Sequence, residues 1–493
     1  MAKQKAKSQR KVVLSAATRE RIRSYDAAAF SRHITPHFTF ADNLDADSLI
    51  RKDIETLRNR ARYEIRNNSY ASGIVDTMAN DMIGTGPRLQ ILSDNNDFDS
   101  RVENLFGQWC LNADIEGRMK FKEILQLAGA WQQAESGEAF ILLQSAEPAK
   151  HWLRARPEVR LRLLVIEPDR VAVPMLLNVT NKIRDGIEYD EFGRPIKYYI
   201  LKNHPGSARA IGNFLDYDVI NAAHVIHLYK QKRPGQSRGV PWITPALPLF
   251  ANLRRYTLAT LEGAETAANI SAALKTQVTG EIFEDEIEAM DEVEIPRNAM
   301  LTLPAGSEMQ QFKPEQPTTT YKDFKHEILN EIARCINMPF NIAAANSSGY
   351  NYASGRLDWQ VYYRFIRTTR CWLEDHVCDR VFYTWLKEAI MIPALKIPTM
   401  DIEKVNFKWF WPGSEHVDPL KEAKAQESRL KSMTSTLSEE YATQGKDWER
   451  QIRQKAKELD LLEELGILQS DEAKLAYLGI KTAKTGAGVS KGR

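Results

Sequence analysis

The chain has 493 residues, a formal net charge of +2 and 27% charged residues. That length supports several subdomains and a large core. No run of about 18 apolar residues occurs, so no membrane span is expected, and the basic amino end MAKQKAKSQRKVV lacks the apolar stretch of a secretory signal. Phosphate neutralisation supplies most of the affinity of proteins that grip nucleic acid, so near-neutrality argues against a sequence-specific DNA binder but not against a surface past which DNA slides. Cys110, Cys335, Cys371 and Cys378 are scattered, which reads as reduced thiols in a cytoplasmic compartment.

Residues 1–45 are basic and weakly patterned and read as a flexible arm. From Asp47 to Asn67 the residues Ile50, Ile54, Leu57, Ala61 and Ile65 recur at helical spacing, with Arg51, Arg58, Arg60, Arg62 and Arg66 lining much of the rest. A second helix is expected to about Ile83, stopped by Gly84-Thr85-Gly86-Pro87 before a strand near Arg88–Ser93. The GTG lacks the Lys-Ser/Thr of a phosphate loop and precedes no helix, so it reads as a helix stop. Phe121–Ala134 is a further helix, turned by Ser136-Gly137-Glu138 into the strand Ala139–Gln144. Short strands follow at Leu161–Ile166, Val171–Val173, Gly186–Tyr189, Ile196–Leu201 and His224–Tyr229, with a hairpin turn at Asp190–Pro195.

Pro241-Trp242-Ile243-Thr244-Pro245 opens a long helix from Thr244 to about Ala273, alanine-rich in its second half, where small residues permit close helix approach. Residues 277–317 break the pattern with an acidic stretch, Glu281–Glu294, and read as a small α/β insertion. A helix capped by Thr319 or Thr320 then carries Phe324, Ile328, Ile332 and Ile336 towards Met338 and stops at Pro339. Two helices therefore flank a compact excursion. Asn341–Tyr352 is an uncharged polar loop. Ser354 is expected to cap a helix reaching towards Ile390, about 55 Å at 1.5 Å per residue. Its first half is basic (Arg356, Arg364, Arg367, Arg370) and its second acidic (Glu374, Asp375, Asp379), which reads as solvated or subunit-facing charge. A strand at Val405–Trp411, helices at Pro419–Ser432, Leu437–Ala442 and Trp448–Leu462, and a Gly/Lys-rich tail complete an α+β, mostly helical chain.

No catalytic frame emerges. His224 and His227 would point to opposite faces of a strand. Cys371, His376 and Cys378 do not converge on one side of a helix. Nucleophile-elbow, zinc-protease, Walker A and paired CxxC patterns are absent from the sequence. No catalytic residue, metal site or cofactor is expected.

A colinear set of short motifs does stand out. Arg60-Ala61-Arg62, Arg66-Asn67-Asn68, Tyr70-Ala71, Gly73-Ile74-Val75-Asp76-Thr77 and Gly84-Thr85-Gly86 come first. Gly137-Glu138, Ile166-Glu167-Pro168-Asp169-Arg170 and Asp190 with Gly193-Arg194-Pro195 follow. The strongest block is His227, Arg233-Pro234-Gly235-Gln236 and Arg238-Gly239-Val240-Pro241-Trp242. Trp411-Pro412, Asp418-Pro419, Lys421-Glu422-Ala423 and Gly445 with Asp447-Trp448-Glu449 close the series. Over roughly residues 40–460 this order resembles the lambda-like portal proteins of tailed bacteriophages, with residues 277–317 the divergent part.

The resemblance implies a portal fold assembling into a ring, typically of twelve, at one capsid vertex. Mapped onto this sequence it gives a flexible arm (1–45), an α+β wing (46–243), a first stem helix (244–276), a clip (277–318), a second stem helix (319–340) and a tunnel loop (341–353). A long tunnel helix returning to the wing (354–411), a helical crown (412–470) and a flexible tail (471–493) complete it. Double-stranded DNA would be packaged and ejected through the ring without sequence specificity. The implied partners are the terminase large subunit, neck or adaptor proteins, and the major capsid and scaffolding proteins. The implied location is the virion, after assembly in the host cytoplasm. Asn346, Ser347, Ser348, Tyr350, Asn351, Tyr352 and Arg356 are the expected DNA-channel residues, because neutral groups repeated around a ring touch without gripping. Glu281, Glu284, Asp285, Glu292 and Arg297 are the expected motor- and neck-docking residues. Twelve helices spaced about 8–10 Å apart make a ring about 30–38 Å across between axes. Subtracting one helix diameter of about 10 Å leaves room for a duplex at the larger spacings. Another head–tail connector or adaptor ring is the alternative structural reading, and a nucleic-acid-processing enzyme the alternative of another class.

Overall fold

The computed structural model describes residues 36–146, 159–174, 182–208, 216–269, 273–276, 307–310, 320–398, 401–402, 405–413 and 419–467. The expected docking residues Glu281, Glu284, Asp285, Glu292 and Arg297 lie outside them, as do the arm before residue 36 and the tail after 467.

Helix α1 (Ala46–Asn67) is capped by the Asp45 carboxylate, which accepts from the Ser48 N–H. Asn68 both ends α1 and caps α2 (Ser69–Ile83), accepting from the N–H groups of Tyr70 and Ala71. Gly84 stops α2 at φ +53° and Gly86 follows at φ +91°, so the GTG is a helix stop. Strand β1 (Arg88–Ile91) comes next. Helix α3 (Asn96–Cys110) was not expected, although Phe98, Val102, Phe106 and Trp109 recur at helical spacing and are all buried. Helix α4 (Phe121–Gln126) widens into a π turn at Leu127–Trp131, where Gly129 packs against Leu373 so closely that an added Cβ would lie 2.9 Å from its methyl.

The β-rich region forms two antiparallel sheets. The first has the order β3-β2-β8, from β3 (Leu161–Ile166), β2 (Glu138–Ser145) and β8 (Val225–Tyr229). The second runs β4-β5-β6-β7, from β4 (Ile183–Arg184), β5 (Ile187–Tyr189), β6 (Pro195–Leu201) and β7 (Tyr217–Asn221). The Asp190–Pro195 turn joins β5 to β6 as expected, with Gly193 at φ +78°. Val171 makes only an isolated bridge to Ile200 rather than a strand, and β7 was not expected. Alternation along β2 sends Ala139, Ile141 and Leu143 into the main core and Phe140 and Leu142 into a second cluster with Ile166, Ile187, Tyr198 and Ile200.

The first long helix, α5 (Leu247–Asn269), is shorter than expected. A 3-10 turn occupies Thr244–Ala246, and Ala273–Thr276 is a strand, β9, paired with β10 (Ser307–Gln310). The chain thus leaves helix before the end of the range expected for it. The second, α6 (Thr320–Arg334), ends four residues before Met338, and Asn337 turns the chain at φ +57°. A one-turn helix, α7 (Phe340–Ala343), then occupies the start of the stretch expected to be loop.

Helix α8 (Tyr352–Leu373) passes through a π turn at Glu374–Cys378 into α9 (Asp379–Ile390), so the long helix runs on with one widened turn. Asn351, not Ser354, is its N-cap: its side chain accepts from the Ser354 N–H, and Ser354 returns the bond as the third residue of a capping box. Strand β11 (Phe407–Phe410) pairs antiparallel with β1, far away in sequence. Helices α10 (Pro419–Lys431), α11 (Leu437–Thr443) and α12 (Trp448–Glu464) finish the described chain. Among the described residues no helix is long and apolar enough to cross a membrane.

Candidate channel segment and the buried ion node

The uncharged loop between α6 and α8 is compact and outward-facing. Ala345, Asn346, Ser347, Ser348, Asn351 and Tyr352 are exposed, as is Arg356 on the first turns of α8. Left-handed backbone at Ala345 (φ +49°) and Gly349 (φ +87°) folds it back on itself. The Asn346 side-chain oxygen Oδ1 accepts from the Ser348 N–H at 2.9 Å, and the Asn346 backbone N–H reaches the Asn341 carbonyl at 3.0 Å. Tyr350 departs from the rest: it is half-buried and packs against the main core, so it anchors the loop rather than leading it outward. The described loop therefore offers amide and hydroxyl groups, one exposed tyrosine at Tyr352, and a single nearby cation at Arg356.

The base of α8 is fixed by Arg370. Expected among solvated charges, it is instead buried, donating to the carbonyls of Asp81 (2.9 Å) and Met82 (2.8 Å) at the end of α2 and of Pro412 (3.1 Å). It thus satisfies helix carbonyls that have no partner of their own. The acids of the second half are also engaged. Asp379 accepts from the Trp409 indole at 2.7 Å, and Glu374 from that of Trp411. The Trp411-Pro412 motif thereby meets the Gly84 motif, where a Cβ on Gly84 would lie 3.2 Å from the Pro412 ring.

Behind these helices the motifs that carry the resemblance converge on one carboxylate. Glu138 is fully buried at the start of β2. Its Oε1 accepts from Arg58 at 2.5 Å and from Arg238 at 2.7 Å, and its Oε2 from the Gly239 N–H at 2.9 Å. His227 Nε2 lies 2.8 Å from Oε2, its ring stacked on Phe140 at 4.2 Å. Arg238 spends its remaining donors on the carbonyls of Pro168 (3.0 Å), Val171 (3.1 Å) and Asp185 (2.7 Å), tying the second sheet to the first. Arg62 pairs with Asp169, and Arg58 approaches it at 3.5 Å. Glu167, Asp169 and His204 lie within 4.8 Å of one another, but Asp169 is already held by these two arginines.

Burial opposes the charge on Glu138, but Arg238 and Arg58 together outweigh it and hold the carboxyl well below the usual range. Burial likewise pushes His227 below its ordinary value, against the pull of Glu138. The backbone around the carboxylate is equally constrained. A Cβ on Gly137 (φ +84°) would lie 2.1 Å from the Val240 carbonyl carbon, and one on Gly239 2.1 Å from the Gly137 oxygen. Two chain segments cross without room for a side chain. The Gly137-Glu138 and Arg238-Gly239 motifs are therefore a crossing and its ionic clasp. The sequence placed Arg58 only off the apolar stripe of its helix, and nothing in it singled out Glu138 as an ion partner. Nearby, the half-buried Lys230 sits over the rings of Trp242 (4.5 Å), Trp372 (5.1 Å) and Phe365 (5.2 Å) and donates to Thr369 at 2.9 Å.

The node sets Arg58, Arg238 and the His227 ring around the Glu138 carboxylate and is nearly closed to solvent, so it clasps the backbone segments that cross there. Its members other than Arg58 belong to the sequence motifs, and the model of the phage portal proteins of the lambda family matches residues 38–370. The chain belongs to the lambda family of phage portal proteins. Similar proteins include the probable portal protein of Halomonas phage phiHAP-1, 25% identical over 446 residues that cover 86% of this chain and 83% of that one. Portal protein B of Escherichia phage lambda is 20% identical over 81% of this chain and 83% of its own. Among solved structures, a chain from the neck of an empty gene transfer agent particle covers 80% of this chain and 94% of its own at 13% identity, TM-score 0.49. An HK97 family phage portal protein from Corynebacterium diphtheriae is also 13% identical, TM-score 0.30, covering 74% of this chain and 97% of its own. As a portal protein this chain is a structural component of the phage particle, forming the ring at the capsid vertex that serves DNA packaging.

Proposed function

We propose that about twelve copies of this portal protein close around double-stranded DNA, with the loop at Asn341–Tyr352 lining the passage. The exposed Asn346, Ser347, Ser348, Asn351 and Tyr352 supply weak contacts that are repeated around the ring, and Arg356 stands behind them. The observation that carries this reading is an outward-facing loop without a charged side chain, held by a rigid base at Arg370 and the capping box of α8. Any attraction at such a loop is multiplied by the number of copies, so neutral donors and acceptors suit a duplex that must keep moving. Tyr350 serves as the loop's anchor.

In this reading the chain catalyses nothing. The energy of packaging comes from the terminase large subunit, which docks on the segment between β9 and β10, where Glu281, Glu284, Asp285, Glu292 and Arg297 lie in the sequence. Neck proteins take the same end later. Capsid and scaffolding proteins meet the wing, and assembly takes place in the host cytoplasm. Native mass measurement of the purified protein tests the ring: particles near twelve chain masses are expected, and a monomer or dimer at micromolar concentration contradicts it.

A further inference from the structure

Helix α12 is capped by Asp447 and carries Glu449 in its first turn, but beyond that turn it is basic and then acidic. After Glu449 its first half holds Arg450, Arg453, Lys455 and Lys457, and its second half Glu458, Asp460, Glu463 and Glu464. No basic residue falls in its last turn. A helix prefers cations at its C-terminus, so the acidic last turn costs the isolated helix stability. Within the chain Arg450 pairs with Glu103 at 2.9 Å and lies 3.9 Å from Asp447, Arg453 lies 3.8 Å from Glu449, Gln454 donates to Glu458 at 2.9 Å, and Glu463 is also engaged, so the pattern of a basic half followed by an acidic half is what remains for a partner to read. None of the 17 residues is buried, although Ile452, Leu461 and, just beyond, Leu465 and Ile467 are large apolar groups with 43–64% of their surface exposed.

We infer that α12 docks head-to-tail on α12 of the next copy in the ring, its acidic second half against the neighbour's basic first half. This rests on the ring reading. The charge pattern selects the geometry. Copies related by rotation about a ring axis, with their helices side by side and parallel, would place basic halves together and acidic halves together. A heterologous contact between opposite ends of the helix instead satisfies both halves in every copy and closes with the ring. The exposed apolar residues supply the surface along which the two helices meet, and the charges set the register.

The test uses two full-length variants. In one, Glu458→Lys, Asp460→Lys and Glu464→Lys make both halves of α12 basic; in the other, Arg453→Glu, Lys455→Glu and Lys457→Glu make both acidic. Each change agrees with the helix dipole, so folding is preserved, which far-ultraviolet circular dichroism checks. Each variant alone should lose about tenfold in ring yield by native mass measurement. Mixed in equal amounts, they should recover wild-type yield in rings that alternate. Wild-type-like rings from either variant alone overturn the inference. Loss in both without recovery on mixing also overturns it, because the face is then covered by residues 468–493 of the same chain or by another protein. Failure of the wild type to form rings instead strikes the ring reading itself.

Discussion

Replacing Glu138 with glutamine removes the negative charge that Arg58, Arg238 and His227 share. The side chains of Arg58 and Arg238 are only 5% and 8% exposed, so water cannot replace it. Breaking a buried pair by deleting one partner costs about 3–5 kcal/mol. Arg58 retains Asp169 at 3.5 Å, which places the expected loss towards the lower end of that range. Arg238 retains only carbonyl oxygens. Removing the cations as well, as Glu138→Met with Arg58→Leu and Arg238→Met, does not restore stability here, because the carbonyls of Pro168, Val171 and Asp185 lose their donor at about 1–3 kcal/mol each. The pH dependence has a fixed sign. The carboxyl is depressed in the folded state, so its contribution is fully present above its ordinary value of 4.5 and is lost as pH falls below it. The gap between wild type and Glu138→Gln should therefore be widest near neutrality and narrow in acid. Urea unfolding of dissociated subunits between pH 3 and pH 7 measures it. A loss below about 1 kcal/mol at pH 7, or a gap that does not narrow in acid, refutes the clasp.

Gly239→Ala should be at least as damaging, about 3 kcal/mol or more, because the backbone at Gly137 cannot retreat; equilibrium unfolding of soluble variant is the check. Lys230 is pushed down to about 8 by burial and by Lys232, so wild-type stability should rise with pH between about 8 and 10.5, and Lys230→Met should flatten that slope in unfolding titrations. Asn346→Lys with Ser347→Lys should leave ring mass unchanged but raise DNA retention and slow packaging in an in vitro assay. Deleting part of Glu281–Glu294 should leave rings intact and abolish terminase binding in pull-down.

Most helices were legible because their apolar residues recur every three or four positions, as in Ile50, Ile54, Leu57, Ala61 and Ile65. Their ends were less legible. The helix begins at Tyr352, so Asn351 is its cap and Ser354 enters as the third residue of the capping box. Helix α5 falls short of the expected Ala273 because Ala273–Thr276 pairs with a strand more than thirty residues away, which no local pattern encodes. The π turn at Leu127–Trp131 packs Gly129 against Leu373, a partner over two hundred residues distant. The polar loop was legible from composition, but the inward turn of Tyr350 was not. The ion node shows the same limit. Its motifs were visible one by one, while their meeting at Glu138 exists only in three dimensions, and arginines at helical spacing read as surface until the fold buries Arg58 and Arg370.

Contact between the neutral loop and moving DNA can be measured directly. A photo-reactive side chain placed at Ser347, and in a second protein at the exposed Phe192 of the β5–β6 turn, can be illuminated in packaging complexes stalled part-way. Covalent DNA adducts at position 347 and none at 192 are predicted. Adducts absent at 347 in complexes shown to hold DNA would contradict the account.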